Sequence, residues 1–303
     1  MSHRQSSGGV LLIDKPQGLT SNQVLGRIKR LFGIKKAGHT GTLDPMAAGL
    51  LVVCLGHATR ISAHLMDADK AYRARVHLGV TTDTEDAEGT EVSRQPVPTL
   101  SPAEVEAVLA EFRGPIEQVP PMYSALKHQG RRLYAMARAG EVVDRPPRAV
   151  RIDGLAVEAW HLDEVDMPGF VIDVRCSKGT YIRSLVRDIG ERLGCGAHLA
   201  QLQRTHAQPF SLAQAHALET LDDMALEARW GCLLPVNEAV PDWPVVDICD
   251  DELVAFQHGQ AVRGTAVENA PKHPWVCVAN KGVVVGLAEL DQGKLQPRSV
   301  FNL

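Results

Sequence analysis

At 303 residues the chain is long enough to bury a large core and, by length, to divide into two domains. Its 45% hydrophobic and 22% charged residues are the proportions of a soluble globular protein and exclude a disordered one, and no apolar run reaches bilayer-spanning length. The net charge of −4 conceals basic blocks at 1–75 (+7), 121–153 (+4) and 175–210 (+4), separated by acidic blocks at 76–120 (−7), 154–174 (−5) and 211–303 (−7).

Brought to one face, the basic blocks would form a footprint for a polyanion. Kept apart, they are independent solvated faces, and composition leaves both readings open. Met1 to Gly9 is polar and lacks an apolar signal core, so a cytoplasmic protein is expected. The six cysteines include no Cys-x-x-Cys, which argues against a zinc site or a redox pair and for reduced thiols.

In chain order, Val10-Leu11-Leu12-Ile13 is a short apolar run ending in the loop signal Asp14-Lys15-Pro16-Gln17-Gly18. Thr20 or Ser21 caps a helix whose apolar face is Val24, Leu25, Ile28, Leu31 and Phe32, and Gly33 stops it. Next comes Ala37-Gly38-His39-Thr40-Gly41-Thr42-Leu43-Asp44-Pro45-Met46-Ala47-Ala48-Gly49, a loop of small residues carrying one His and one Asp, before a buried strand over residues 50–55. Pro45 fixes its own φ and holds Asp44 extended. Alone, the loop fits a catalytic carboxylate on a stiff support and a structural Asp-Pro turn equally well.

Residues 72–78 alternate with period two, with Tyr72, Ala74, Val76 and Leu78 on one face and Arg73, Arg75 and His77 on the other. Ser101-Pro102-Ala103-Glu104 is a capping box opening a helix that buries Val105, Val108, Leu109 and Phe112. Residues 125–150 read as a basic excursion, with a short helix over 131–138. Residues 170–176 form another alternating strand, running into Ser177-Lys178-Gly179-Thr180-Tyr181-Ile182-Arg183 and a helix that Gly194 ends. Strand, glycine turn and helix N-terminus together make an anion-facing corner. Prolines 235, 241 and 244 suggest a linker before the short β-like pieces of 245–303.

Taken one at a time, the conspicuous residues have ordinary readings. Tyr72 fits a half-buried core aromatic, His39 a satisfied loop histidine, Lys15 a snorkelling side chain. Arg183 opposes the helix dipole in a first turn, a mild cost that hints at function, although a surface ion pair is the default. A metal site from His39, Asp44 and His57 has no supporting ligand spacing.

Taken together and in order, five segments closely resemble the TruB family, the bacterial tRNA pseudouridine-55 synthases. They are the Asp14–Gly18 loop, the Gly38–Pro45 loop, Lys70-Ala71-Tyr72-Arg73, Cys176-Ser177-Lys178-Gly179-Thr180-Tyr181-Ile182-Arg183-Ser184-Leu185, and Gly194-Cys195-Gly196-Ala197-His198-Leu199-Ala200-Gln201-Leu202-Gln203-Arg204. The resemblance runs from about residue 9 to the end.

It implies an α+β fold with a central mixed sheet and a small all-β, PUA-like RNA-binding domain, divided as 1–244 and 245–303, with an RNA-gripping insertion at about 125–150. It implies an isomerase that converts uridine to pseudouridine at position 55 in the tRNA T loop, on a flipped-out base. Neither cofactor nor metal is implied. By the family's motifs, Asp44 is the nucleophile, Tyr72 stacks on the target base and Arg183 pairs with the aspartate. His39, Tyr181 and Leu202 meet the substrate, and Lys15, placed with them among the substrate-binding residues, supports the active-site loop. The implied partner is tRNA through its T loop and acceptor stem, with no membrane, no guide RNA and a monomeric enzyme. Gln203 departs from the family's usual Leu-Arg-Arg, which puts a phosphate contact there in question. Rival classes are a non-catalytic RNA-folding module, a guide-RNA-dependent relative and a metal-dependent hydrolase.

Overall fold

The computed structural model describes residues 8–124, 126–128, 130–141, 143–264 and 274–301. The chain forms two compact units: one from residues 44–49 and 68–208, the other from 1–43, 50–67 and 209–303.

The first unit is built on a mixed sheet. Its strands run in the order residues 47–49 (the start of strand Ala47–Gly56), Ala197–Ala207, Lys70–Leu78, Gly169–Cys176, Arg148–His161, Gly114–Gln118. The first pair is parallel and the rest antiparallel. In Lys70–Leu78 the expected apolar face is buried at Ala74, Val76 and Leu78, but Arg75 and His77 of the opposite face are buried as well, so this stretch is covered on both sides. Helices Pro102–Glu111 and Ile182–Arg192 pack on these strands, burying Val105 and Leu109 from one and Leu185, Val186 and Ile189 from the other. Full burial of each such side chain contributes roughly 1.5–3 kcal/mol. Ser101 and Glu104 close their capping box reciprocally. Gly194, at φ +80°, ends the second helix in the left-handed conformation glycine permits.

Within the basic excursion, the helix covers only Leu133–Arg138. Arg131 and Arg132 instead pair with Lys127 and His128 across a turn at Gly130, whose φ of +84° permits a tight hairpin. Residues 125, 129 and 142 of the excursion lie outside the described residues.

In the second unit, Gly8–Lys15 pairs in parallel with His216–Ala217, and Ala37–His39 runs antiparallel to residues 53–55. Helix Ser21–Leu31, capped by Thr20 and Gln23, contributes Val24 and Ile28 to a core with Leu11, Ile13, Leu51 and Val53. The proline-marked stretch is packed and not an open linker. It forms the helix Val236–Ala239, and Val236, Ala239, Val240 and Trp243 supply the apolar side chains that bury it. A separate sheet of Val245–Asp247, Trp275–Asn280, Val283–Asp291 and Lys294–Val300 follows, accompanied by helix Asp250–Gln257. Phe256 of that helix fills the sheet's core, and a Cβ at Gly286 would lie 2.6 Å from its ring.

Candidate active site

Asp44 opens a turn in which the Ala47 amide donates to the Asp44 carbonyl at 3.1 Å, with Pro45 at the position that favours proline. The chain then enters the strand that pairs Ala47, Ala48 and Gly49 with Leu202, Gln203 and Arg204. Gly49 has φ +98°, and a Cβ there would meet the Arg204 carbonyl oxygen at 2.4 Å. Only glycine permits that approach.

The Arg183 guanidinium reaches Asp44, Nη2 to Oδ2, at 2.9 Å. It also donates to the carbonyls of Thr84 at 3.0 Å and Tyr123 at 2.8 Å. A second carboxylate, Asp86, lies 3.4 Å from Nη1 with only 4% of its side chain exposed. The Thr84 hydroxyl at 2.6 Å and the Glu88 amide at 3.0 Å donate to that carboxylate. The loop carrying it is tied to the Ala197–Ala207 strand by bonds between Leu199 and the backbones of Glu85 and Ala87. Glu85, at φ +65°, is engaged by the Ser184 hydroxyl at 2.9 Å and by Arg187. An arginine in a first helical turn is thus compensated by two carboxylates and two carbonyls, the partners a buried charge requires.

Tyr72 and Arg204 are directly opposed on antiparallel strands and so share a face of the sheet. Burial pushes the Tyr72 phenol up, while the hydrogen-bonded Arg204 guanidinium pulls it back down; Asp44 is close enough to add to the upward push. Gln203 pairs with Arg73 on the opposite face, where Arg73 is exposed and ion-paired with Glu158 and Asp173. The departure at Gln203 therefore points away from Tyr72.

Tyr181 precedes helix Ile182–Arg192, and the Gln118 amide clamps its backbone, accepting from its N–H at 3.1 Å and donating to its C=O at 3.2 Å. Burial raises the Tyr181 phenol, and Arg148 and Arg183 work against it. Leu202 is buried in the strand between Ala47 and Ala74.

One unit thus brings together Asp44, Tyr72, Tyr181, Arg183 and Leu202. His39 and Lys15 belong to the other unit. There His39 pairs with Val53, and the fully buried Lys15 braces its own loop, Nζ donating to the carbonyls of Pro16 at 2.8 Å and Leu19 at 2.7 Å. The Ser21 hydroxyl binds both backbone groups of Leu43, at 2.8 and 3.0 Å, pinning the residue before Asp44. Sequence reasoning missed Asp86, Gln118 and Ser21. Asp86 sits in an acidic run without periodicity, and the other two serve backbone groups distant in sequence.

Three family models match in succession. The TruB family pseudouridylate synthase N-terminal domain covers residues 29–182, the tRNA pseudouridylate synthase B C-terminal domain 183–241, and the pseudouridine synthase II TruB C-terminal model 244–301. The chain belongs to the TruB family. This TruB-family chain is 46% identical to the tRNA pseudouridine synthase B of Stutzerimonas stutzeri over 98% of its own length and 97% of that protein's. It is 45% identical to the Pseudomonas aeruginosa enzyme of the same name, with the same coverage. Among solved structures, an H/ACA RNP bound to a substrate RNA containing 2′-deoxyuridine matches with TM-score 0.67 and 27% identity, over 99% of this chain and 86% of that one. An archaeal Nop10–Cbf5 complex matches with TM-score 0.66 and 28% identity, over 96% and 85%. The mixed sheet and the separate C-terminal sheet expected of a TruB-family fold are both present. Among the described residues, no cluster of three metal-ligating side chains occurs, and no helix is long and apolar enough to cross a membrane.

Proposed function

We propose that this chain converts uridine to pseudouridine at position 55 in the T loop of tRNA, with Asp44 as the nucleophile acting on a flipped-out base. The observation that carries the reading is the half-exposed Asp44 carboxylate, held at 2.9 Å by a buried arginine and standing near the Tyr72 phenol. Breaking the C1′–N1 bond leaves an electron-deficient C1′ on the sugar and the electron pair on the departing uracil; a fixed carboxylate oxygen stabilises or traps that C1′, or adds to the electron-poor C6 of the base before the bond breaks. The base turns, C5 bonds to C1′, C5 loses its proton and N1 gains one. No electrons leave the substrate, so the reaction calls for no redox cofactor. A base in a folded loop must leave its stack first, and an aromatic platform such as Tyr72 replaces about 1–3 kcal/mol of lost stacking.

Tyr181, Leu202, His39 and Lys15 serve the substrate pocket and its loops in this reading. Residues 125–150 grip the RNA, and 245–303 form a PUA-like domain on the acceptor stem, closing a two-part enzyme divided at about 244. It acts as a cytoplasmic monomer without guide RNA. The test is incubation of the purified protein with unmodified tRNA transcript, followed by chemical mapping at nucleotide resolution. Pseudouridine should form at 55 with wild type and not with Asp44→Ala, which should still bind tRNA. Turnover by Asp44→Ala removes the nucleophile, and activity only with an added guide RNA removes the stand-alone reading.

A further inference from the structure

A buried arginine stands beside the candidate base platform with no role in the chemistry described so far. Only 3% of Arg204 is exposed. Its backbone is fixed on both sides, by the Gly49 strand on one flank and by Tyr72 on the other. A charge in that place costs several kcal/mol unless its neighbours use it.

Tyr72 is such a neighbour. The two side chains lie on the same face at directly opposed positions, with the guanidinium hydrogen-bonded to the phenol. The charged and titratable groups facing the phenol are Arg204, Cys176 and Asp44. Burial holds the Cys176 thiol at about 11, so it stays neutral, and the charges acting on the phenol are one cation, Arg204, which is hydrogen-bonded to it, and one carboxylate, Asp44.

We propose that Arg204 is the positioning residue for Tyr72: its guanidinium anchors the phenol oxygen, and so fixes the ring that stacks on the target base at a set orientation to Asp44. This rests on Tyr72 as the base platform in the function proposed above. A tyrosine ring on a strand turns about two side-chain torsions, and tethering its far end removes that freedom. Misplacement of a reacting group by about 1 Å costs about 100-fold in rate, so loss of the tether falls on kcat.

The test uses the full-length enzyme with Arg204→Met, Arg204→Lys and Tyr72→Phe. Arg204→Met should lower kcat by about 10–100-fold while tRNA affinity stays unchanged, and Arg204→Lys should recover part of the loss. In a Tyr72→Phe background, Arg204→Met should cost nothing further, since the phenol oxygen is already gone. With ring-labelled tyrosine, the Tyr72 Cζ resonance should titrate at higher pH in Arg204→Met than in wild type. Additive losses, or an unmoved Tyr72 titration, overturn the proposal. If Arg204→Met fails to fold, the titration of Arg204→Lys decides in its place: a displaced Tyr72 resonance supports the tether and an unmoved one overturns it. A Tyr72→Ala enzyme with full turnover overturns the platform reading itself, whatever the titration shows.

Discussion

Arg183 and Asp44 meet at 2.9 Å, yet the arginine side chain is 6% exposed and the aspartate 40%. The pair is asymmetric by construction. Thr84, Tyr123 and Asp86 hold the guanidinium from behind, so it works as a fixed post. Asp44 leans on that post from a proline-braced turn and keeps part of its carboxylate open. A buried partner on one side and access on the other is the geometry a nucleophile needs.

Arg183→Lys keeps the charge but loses the planar fork that reaches two carboxylates and two carbonyls at once. Single-turnover rates should fall by about 100-fold or more, the scale of losing one oriented donor. Filter binding should show tRNA affinity nearly unchanged.

Asp86→Asn keeps the shape and most hydrogen bonds but leaves Arg183 with Asp44 as its sole carboxylate partner in this network. A loss of about 1–3 kcal/mol is expected, read as a lower urea midpoint, together with slower turnover as Arg183 shifts. Asp86→Leu should cost more, because the Thr84 hydroxyl and Glu88 amide then lose their acceptor.

Gln118→Leu conserves volume and removes the clamp on Tyr181. Two backbone groups lose their partners, at about 1–3 kcal/mol for each buried one. Faster hydrogen exchange at the Tyr181 amide would show the loosening directly, with the rest of the sheet unchanged.

Burial holds His57 and His77 at about 4, against 6.5 when unfolded, with Lys36 adding to the effect at His57 and His198, Arg94 and Arg75 adding at His77 against an opposing Glu91. Between pH 6.5 and 4 these two imidazoles therefore bind more protons in the unfolded chain than in the folded one, so their contribution lowers stability as pH falls through that window. Urea midpoints at pH 7, 6 and 5 should decline in order. A His57→Gln/His77→Gln double variant should show a flatter slope. His57 stacks on Phe301 at 4.1 Å and His77 lies beside His198, so the variant will start from a lower baseline.

Much of the local structure was legible. The helix cap at Thr20 or Ser21, the capping box at Ser101/Glu104, the apolar face of Ala74, Val76 and Leu78 and the apolar stripe of Leu185, Val186 and Ile189 each act over a few residues, the range that local pattern reads. The 14-residue strand Arg148–His161 was not legible, because it follows a basic, proline-rich run and alternates only in part. Asp86 and Gln118 were hidden for a different reason. Their work is to satisfy groups far away in the chain, and no local pattern marks such a role.

From its sequence alone the chain was readable as a stiff Asp-Pro loop, a tyrosine at the start of a strand, an arginine at the start of a helix, and the order in which these occur. Local backbone preference and motif spacing are properties of short segments, and they survive without a partner. Folding decided which groups face one another: Arg183 with Asp44 and Asp86, Tyr72 with Arg204, Gln118 with the Tyr181 backbone. Those pairings follow from strand register and from the need to satisfy buried charges and backbone groups, both of which exist only once the sheet has closed over them.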